Sequence, residues 1–78
     1  MAKKINIGGL SVTTTETSLN NAFSPYGTII SLTLTPDPTG GPGEGDIEYN
    51  TSAEGDAAEA AMNGATLDGS VITVRGIT

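Results

Sequence analysis

The clearest pattern in the chain is a strict alternation over residues 43–49. The positions facing one way are small, branched or aromatic (Gly45, Ile47, Tyr49), and those facing the other way are acidic (Glu44, Asp46, Glu48). Because successive side chains of a strand point to opposite faces, the alternation predicts a strand with one core face and one face of carboxylates in water. We interpret this stretch as the central strand of a small sheet.

Three other stretches also predict strands. Residues 4–7 alternate polar and apolar side chains, and residues 28–35 and 71–75 are rich in β-branched residues. Proline and glycine dominate residues 36–43, so this segment is predicted to be a loop that joins the second and third strands as a hairpin.

The first predicted helix follows a start signal at residues 13–16, where a threonine cap precedes an acidic residue. Within it, Leu19, Ala22 and Phe23 form a single apolar stripe. Pro25 and Gly27 then end the helix.

The second predicted helix spans roughly residues 53–63, with Ser52 as its cap. Its predicted sheet-facing side is a set of small residues, namely Ala57, Ala60 and Ala61. Gly55 lies inside this helix, where glycine costs about 1 kcal/mol relative to alanine, and it is interpreted as a local fault.

The predicted element order is β-α-β-β-α-β, which indicates an α+β, ferredoxin-like sandwich. In this arrangement a four-stranded antiparallel sheet carries two helices on one face. A chain of 78 residues is expected to form one domain over residues 1–78. The predicted buried residues are Ile5, Ile7, Leu19, Phe23, Ile29, Ile47, Tyr49, Ala57, Ala61, Ile72 and Val74.

The amino-acid composition argues against several classes of site and partner. The chain has no cysteine and no histidine, which excludes disulfides and the usual zinc sites. Its net charge of −6 argues against nucleic acid and anionic membranes as partners, since lysine and arginine carry most phosphate contacts. No apolar run approaches the roughly 20 residues of a membrane span. The basic N-terminus leads directly into a strand, so we expect a soluble, cytoplasmic-type protein without a targeting signal.

Carboxylates are the candidate chemical groups. Glu44, Asp46 and Glu48 could form a cation site, but alternate strand residues lie about 7 Å apart, so solvated strand residues are the favoured interpretation. Other carboxylates, such as Asp37 and Asp68, have no histidine or cysteine to work with. We therefore predict no enzyme activity, no catalytic or metal-binding residues and no cofactor.

Several of these positions together resemble the RNA recognition motif family, and the resemblance covers nearly the whole chain. Residues 5–10 are similar to the short motif of the family's first strand, and residues 63–64 and 72–74 to its closing segment. The third-strand motif K/R-G-F/Y-G/A-F-V-x-F/Y would fall on residues 42–49. It is matched at Gly43, Gly45, Ile47 and Tyr49. The resemblance implies a sheet that binds RNA on its open face.

The departures from that pattern fall on the binding positions. The family stacks bases on exposed aromatic side chains, where this chain has Asn6, Glu44 and Asp46. Base–aromatic stacking contributes about 1–3 kcal/mol per base, and only Lys3, Lys4 and Arg75 supply positive charge. We therefore predict that Asn6, Glu44 and Asp46 are vestigial RNA-face positions, that they share the open face with Thr73, and that RNA binding is unlikely or very weak.

The favoured hypothesis is a computationally redesigned RNA recognition motif with no selected activity. Small neutral residues fill the surface while core positions follow the family, as expected if only stability on a fixed backbone mattered. The alternatives left open are a natural protein–protein interaction module of this fold and a weak binder of single-stranded RNA. The expected state is a monomer that requires no partner, with weak dimerisation through the uncharged edge at residues 28–35 left open.

Overall fold

The computed structural model describes residues 1–77, and these alternate strands and helices in the predicted order. The elements are β1 (Lys3–Leu10), α1 (Glu16–Phe23), a 3-10 turn (Ser24–Tyr26), β2 (Ile29–Thr35), β3 (Gly43–Tyr49), α2 (Ser52–Met62), β4 (Thr66–Leu67), β5 (Ser70–Val71) and β6 (Thr73–Gly76). Four strands form an antiparallel sheet in the order β2-β3-β1-β6, and β4 and β5 form a separate two-stranded hairpin. The predicted ferredoxin-like fold is confirmed; the added hairpin was not predicted.

β3 lies in the interior of the sheet, as its alternation predicts. It pairs with β1 on one side, where Ile47 lies opposite Ile5, and with β2 on the other, where Ile47 lies opposite Leu32. Opposed residues of paired strands share a face of the sheet, so these three side chains point to the helices. The acidic positions of β3 consequently point away from the core.

The core is a single cluster between the sheet and the helices. Its buried hydrophobic residues are Ile5, Ile7, Leu10, Leu19, Phe23, Ile47, Tyr49, Ala58, Ile72 and Val74. Of the predicted core residues, Ile29 is only half-buried, and the prediction is wrong for Ala57 and Ala61, which are exposed.

The error at Ala57 and Ala61 is a rotation of α2. The helix faces the core with Gly55, Ala58 and Met62, which are spaced three and four residues apart. Five alanines lie on several sides of this helix, so the sequence offers no strong contrast in hydrophobicity between its faces.

Gly55 is a close-approach position. A Cβ atom on Gly55 would lie 2.7 Å from Lys3 Cβ and would also meet Lys3 Cγ. The glycine therefore lets the aliphatic stem of Lys3 on β1 lie directly against α2. The interpretation of Gly55 as a fault is wrong, because its missing side chain is what the packing requires.

Both helices begin with reciprocal caps. In α1, the Thr15 side chain accepts a hydrogen bond from the Ser18 N–H, and the Thr15 N–H donates to Ser18 Oγ. The cap of α2 is Thr51 and not the predicted Ser52. The reason is the spacing of the capping box, in which a residue three positions after the cap must accept from the cap's own N–H. Glu54 does this for Thr51 at 3.0 Å.

Glu54 also joins α2 to the sheet. Its Oε2 atom accepts a hydrogen bond of 2.9 Å from the Thr28 N–H, just before β2 begins. This bond, with the further hydrogen bonds from Thr51, outweighs desolvation and holds the pKa of the Glu54 carboxyl below its usual range. The Glu54 carboxylate thus holds both the start of α2 and the start of β2, which are distant in sequence.

We expect Gly55→Ala to lower the melting temperature, although the same change in an exposed helix stabilises by about 1 kcal/mol. The new Cβ would displace Lys3 and α2. Thermal unfolding followed by circular dichroism measures the effect, with Asn20→Ala at an exposed position of α1 as the control that should raise stability. A Gly55→Ala variant that melts above the parent would contradict this packing.

We expect Glu54→Gln to lower the melting temperature at neutral pH and to matter less in acid. A depressed pKa in the folded state means that the carboxylate stabilises the fold at neutral pH, and that this stability is lost as pH falls through the folded-state pKa. The gap between parent and variant should therefore narrow between about pH 7 and about pH 3. Glu16→Gln, at an exposed carboxylate of α1, should change the melting temperature less; a gap that stays constant with pH would refute the assignment.

Candidate nucleic-acid interface

The face of the sheet opposite the helices is uncovered by any other element in residues 1–77. Its side chains follow from the strand register, because opposed residues share a face. They are Ser31, Thr33 and Thr35 of β2, Glu44, Asp46 and Glu48 of β3, Lys4 and Asn6 of β1, and Thr73 and Arg75 of β6. We call this surface the open face. All ten of these side chains are polar.

Asn6, Glu44 and Asp46 form one hydrogen-bonded group on the open face. Asn6 Nδ2 donates to Glu44 Oε1 at 2.8 Å and to Asp46 Oδ1 at 3.0 Å. The Asn6 amide therefore holds two like-charged groups side by side and supplies each with a donor. The structure thus brings together the three residues that the sequence predicted for this face, and Thr73 lies on the same face.

Two cations lie on the open face. Lys4 is opposite Glu48, and Arg75 is opposite Asn6. Lys3, in contrast, points to the helical side, where its Nζ atom lies 3.3 Å from Asp56 Oδ1. The alternation of β1 carries the signal for this, since Lys3 has the same parity as the core residues Ile5 and Ile7.

The aromatic rings are all on the helical side. Tyr49 is buried in the core, its hydroxyl donates a 2.6 Å hydrogen bond to the Phe23 carbonyl, and burial raises the pKa of its phenol. Phe23 is buried as well, and Tyr26 donates to Met62 Sδ at 3.5 Å. These are the three aromatic residues of the chain, so none of them provides a stacking surface on the open face.

Two other carboxylates, Asp37 and Asp68, accept hydrogen bonds from residues in the loops. Asp37 Oδ1 accepts from the Thr39 N–H and hydroxyl, both at 2.9 Å, and these bonds hold the pKa of the Asp37 carboxyl below its usual range. Asp68 accepts a 2.7 Å bond from the buried hydroxyl of Thr14. Each carboxylate has its own partners, and neither shares a hydrogen bond with Asp46.

A small cavity lies between the β1–α1 loop and the β2–β3 loop. It has a volume of about 130 Å³, and its lining includes Val12, Leu34, Pro36 and Asp37. Sequence reasoning missed this cavity because it treated residues 36–43 only as a loop that joins two strands. The available signal was Asp37 two residues before Thr39, since aspartate in such segments folds the chain into a local turn.

The described part of the chain holds no group of three side chains placed to bind a metal ion. Within the same residues, no helix is long and apolar enough to cross a membrane.

The model of the RNA recognition motif family matches residues 5–73. The chain belongs to the RNA recognition motif family. The match includes all of β2, β3 and both helices, together with β1 from Ile5 onward and the first residue of β6. It therefore spans the four-stranded sheet except the first two residues of β1 and the last three residues of β6.

Natural proteins of this family are similar in sequence. The chain is 43% identical over 76 residues to glycine-rich RNA-binding protein 1 of Mycosarcoma maydis, a match covering 95% of the chain and 43% of that protein. It is 38% identical over 72 residues to the putative RNA-binding protein RbpE of Nostoc sp., covering 90% of the chain and 73% of that protein. The chain therefore spans less than half of the first relative and only 18% of the organelle RRM domain-containing protein 1 of rice (Oryza sativa subsp. japonica), with which it is 36% identical over 74 residues, 92% of the chain.

Solved structures agree on the fold. The third RRM domain of Mip6 superimposes with a TM-score of 0.91 at 22% identity, covering 97% of the chain and 93% of that domain. The Sxl-lethal protein in complex with RNA gives a TM-score of 0.81 at 26% identity, covering 92% of the chain and 46% of that protein.

These relatives correct two predictions. The hypothesis of a computational design without RNA binding is wrong, because two natural proteins named as RNA-binding are 43% and 38% identical to the chain over at least 90% of its length. The expectation that RNA is an unlikely partner is contradicted by the same finding and by the RNA complex among the structural neighbours.

The physical reason for the error is where the charges lie. The net charge of −6 describes the whole chain, whereas the open face holds three carboxylates and two cations, a local formal charge of −1. The other six acidic side chains are on the helices and loops. Whole-chain charge is thus a poor measure of what this face presents to a ligand.

Proposed function

We propose that the chain is a single-stranded RNA-binding module that contacts RNA through its open face. The proposal rests on the uncovered face of the four-stranded sheet in a member of the RNA recognition motif family. It is supported by natural proteins that are similar to the chain in sequence and are named as RNA-binding. The proposal treats residues 1–78 as a single domain, and it includes no catalytic role.

Arg75 is the residue we assign to base stacking and phosphate contact. It is exposed on the edge strand β6 and directly opposite Asn6 of β1. A guanidinium plane can stack on an unpaired base and can also bind phosphate, so it can replace part of what an aromatic ring supplies. Lys4, on the neighbouring strand, adds a second positive charge for the RNA backbone.

Asn6, Glu44 and Asp46 are assigned to the edges of the bases. In single-stranded RNA these edges are free to form hydrogen bonds with side chains. Carboxylate oxygens accept from exocyclic amino groups, as they do from cytosine N4. The Asn6 bonds fix both carboxylates in place, so part of the cost of ordering them is met before RNA arrives.

Contacts with phosphate should contribute only a small part of the binding free energy, so the affinity for RNA should depend weakly on salt. If Lys4 and Arg75 each neutralise one phosphate of a single strand, the logarithm of the association constant should fall with the logarithm of salt concentration with a slope of about −1.4. Removing either cation should bring that slope to about −0.7.

We therefore expect Arg75→Ala to weaken RNA binding roughly tenfold, since it removes about 1–2 kcal/mol of stacking and phosphate contact. Fluorescence anisotropy with a labelled mixed-sequence single-stranded RNA, from low to moderate salt, measures both affinity and slope. The matched control is Thr17→Glu, which changes the net charge by the same amount at an exposed position of α1.

The control should bind like the parent. Equal losses in both variants would assign the effect to overall charge and sink the role given to Arg75. A parent protein that shows no saturable binding at low salt would overturn the proposed function itself.

A further inference from the structure

The two edges of the four-stranded sheet are treated differently. On the β6 edge, the Val74 N–H donates to Asn63 Oδ1 at 3.0 Å, and the Gly76 N–H donates to Glu59 Oε2 at 3.1 Å. Side chains from the end of α2 thus occupy donors that another strand would need. This edge is closed to further pairing.

The β2 edge has no such cover. Among residues 1–77, no side chain forms a hydrogen bond with the backbone of residues 31–35, and none of these five residues is charged. A register shift between Ile29 and Ser31 and a proline at position 36 bound this regular stretch. Charged side chains, bulges and prolines usually protect an edge strand from pairing with another chain. Here the register shift and the proline lie only at the two ends of residues 31–35.

The uncovered stretch is close to a palindrome. Its sequence, Ser31-Leu32-Thr33-Leu34-Thr35, reads nearly the same in both directions about Thr33. A two-fold interface needs a surface that complements itself, and antiparallel pairing of two such strands meets that need. It would set threonine against threonine at the axis and leucine against leucine beside it, pairs that stabilise neighbouring strands.

We propose that two copies of the chain associate through antiparallel pairing of their β2 edges, centred on Thr33. The two-fold axis is then perpendicular to the sheet, so the pair forms one eight-stranded sheet with all four helices on the same side. The leucines at the junction are half-buried in one copy and become covered by the other. The two open faces become continuous, and the association does not depend on the proposed RNA binding.

Charge repulsion gives this dimer a distinctive salt dependence. The acidic β3 strands of the two copies would be three strand spacings apart, roughly 14 Å. That separation exceeds the screening length of about 8 Å at physiological ionic strength. Association should therefore strengthen as salt rises, whereas RNA binding should weaken.

Sedimentation velocity over a roughly hundredfold range of protein concentration, at low and moderate salt and without RNA, tests the proposal. We expect a monomer at the dilute end and a growing dimer fraction at the concentrated end. Thr33→Lys places two like charges at the axis and should weaken dimerisation by about tenfold.

Thr73→Lys is the matched control, because it adds the same charge to the open face on the closed β6 edge. It should leave the dimer fraction at or above that of the parent. Circular dichroism confirms that both variants fold. A parent that stays monomeric throughout, or an equal loss in both variants, would overturn the proposal.

Discussion

β3 pairs with β1 on one side and with β2 on the other, and its side chains alternate between the core and the open face. A slip of one residue in either pairing would turn Glu44, Asp46 and Glu48 toward the helices. Burying unpaired carboxylates costs far more than a domain of this size has in stability, so only one register is compatible with folding. The alignment of β1 and β2 against β3, and the separation of core from open face, follow from that register.

The same register gives the open face its chemistry. It places Asn6 beside Asp46 and within reach of Glu44, so a neutral amide donates to both acids. It also places Lys4 opposite Glu48, and Arg75 at the same level of the sheet as Asn6 and Asp46. The result is a nearly charge-balanced polar surface, on which base recognition would depend on hydrogen bonds and one guanidinium instead of on aromatic rings.

Sequence patterns predicted those elements in which polar and apolar positions are clearly separated along the chain. The alternation in β3 and the stripe of Leu19 and Phe23 each allow only one orientation, and both were confirmed. The face of α2 could not be read in this way, because alanines surround the helix and the deciding contact, Gly55 against Lys3, joins residues 52 positions apart. Function was misjudged for a related reason: a count of charges over the chain carries no information on which face each charge occupies.

An amide NMR titration of the isotope-labelled protein with single-stranded RNA at low salt shows whether the open face contacts RNA. We expect saturable shifts at Asn6, Glu44, Asp46 and Thr73, with Arg75 among the strongest, and little change along α2. Shifts confined to the helices or loops, or no shifts at all, would contradict it.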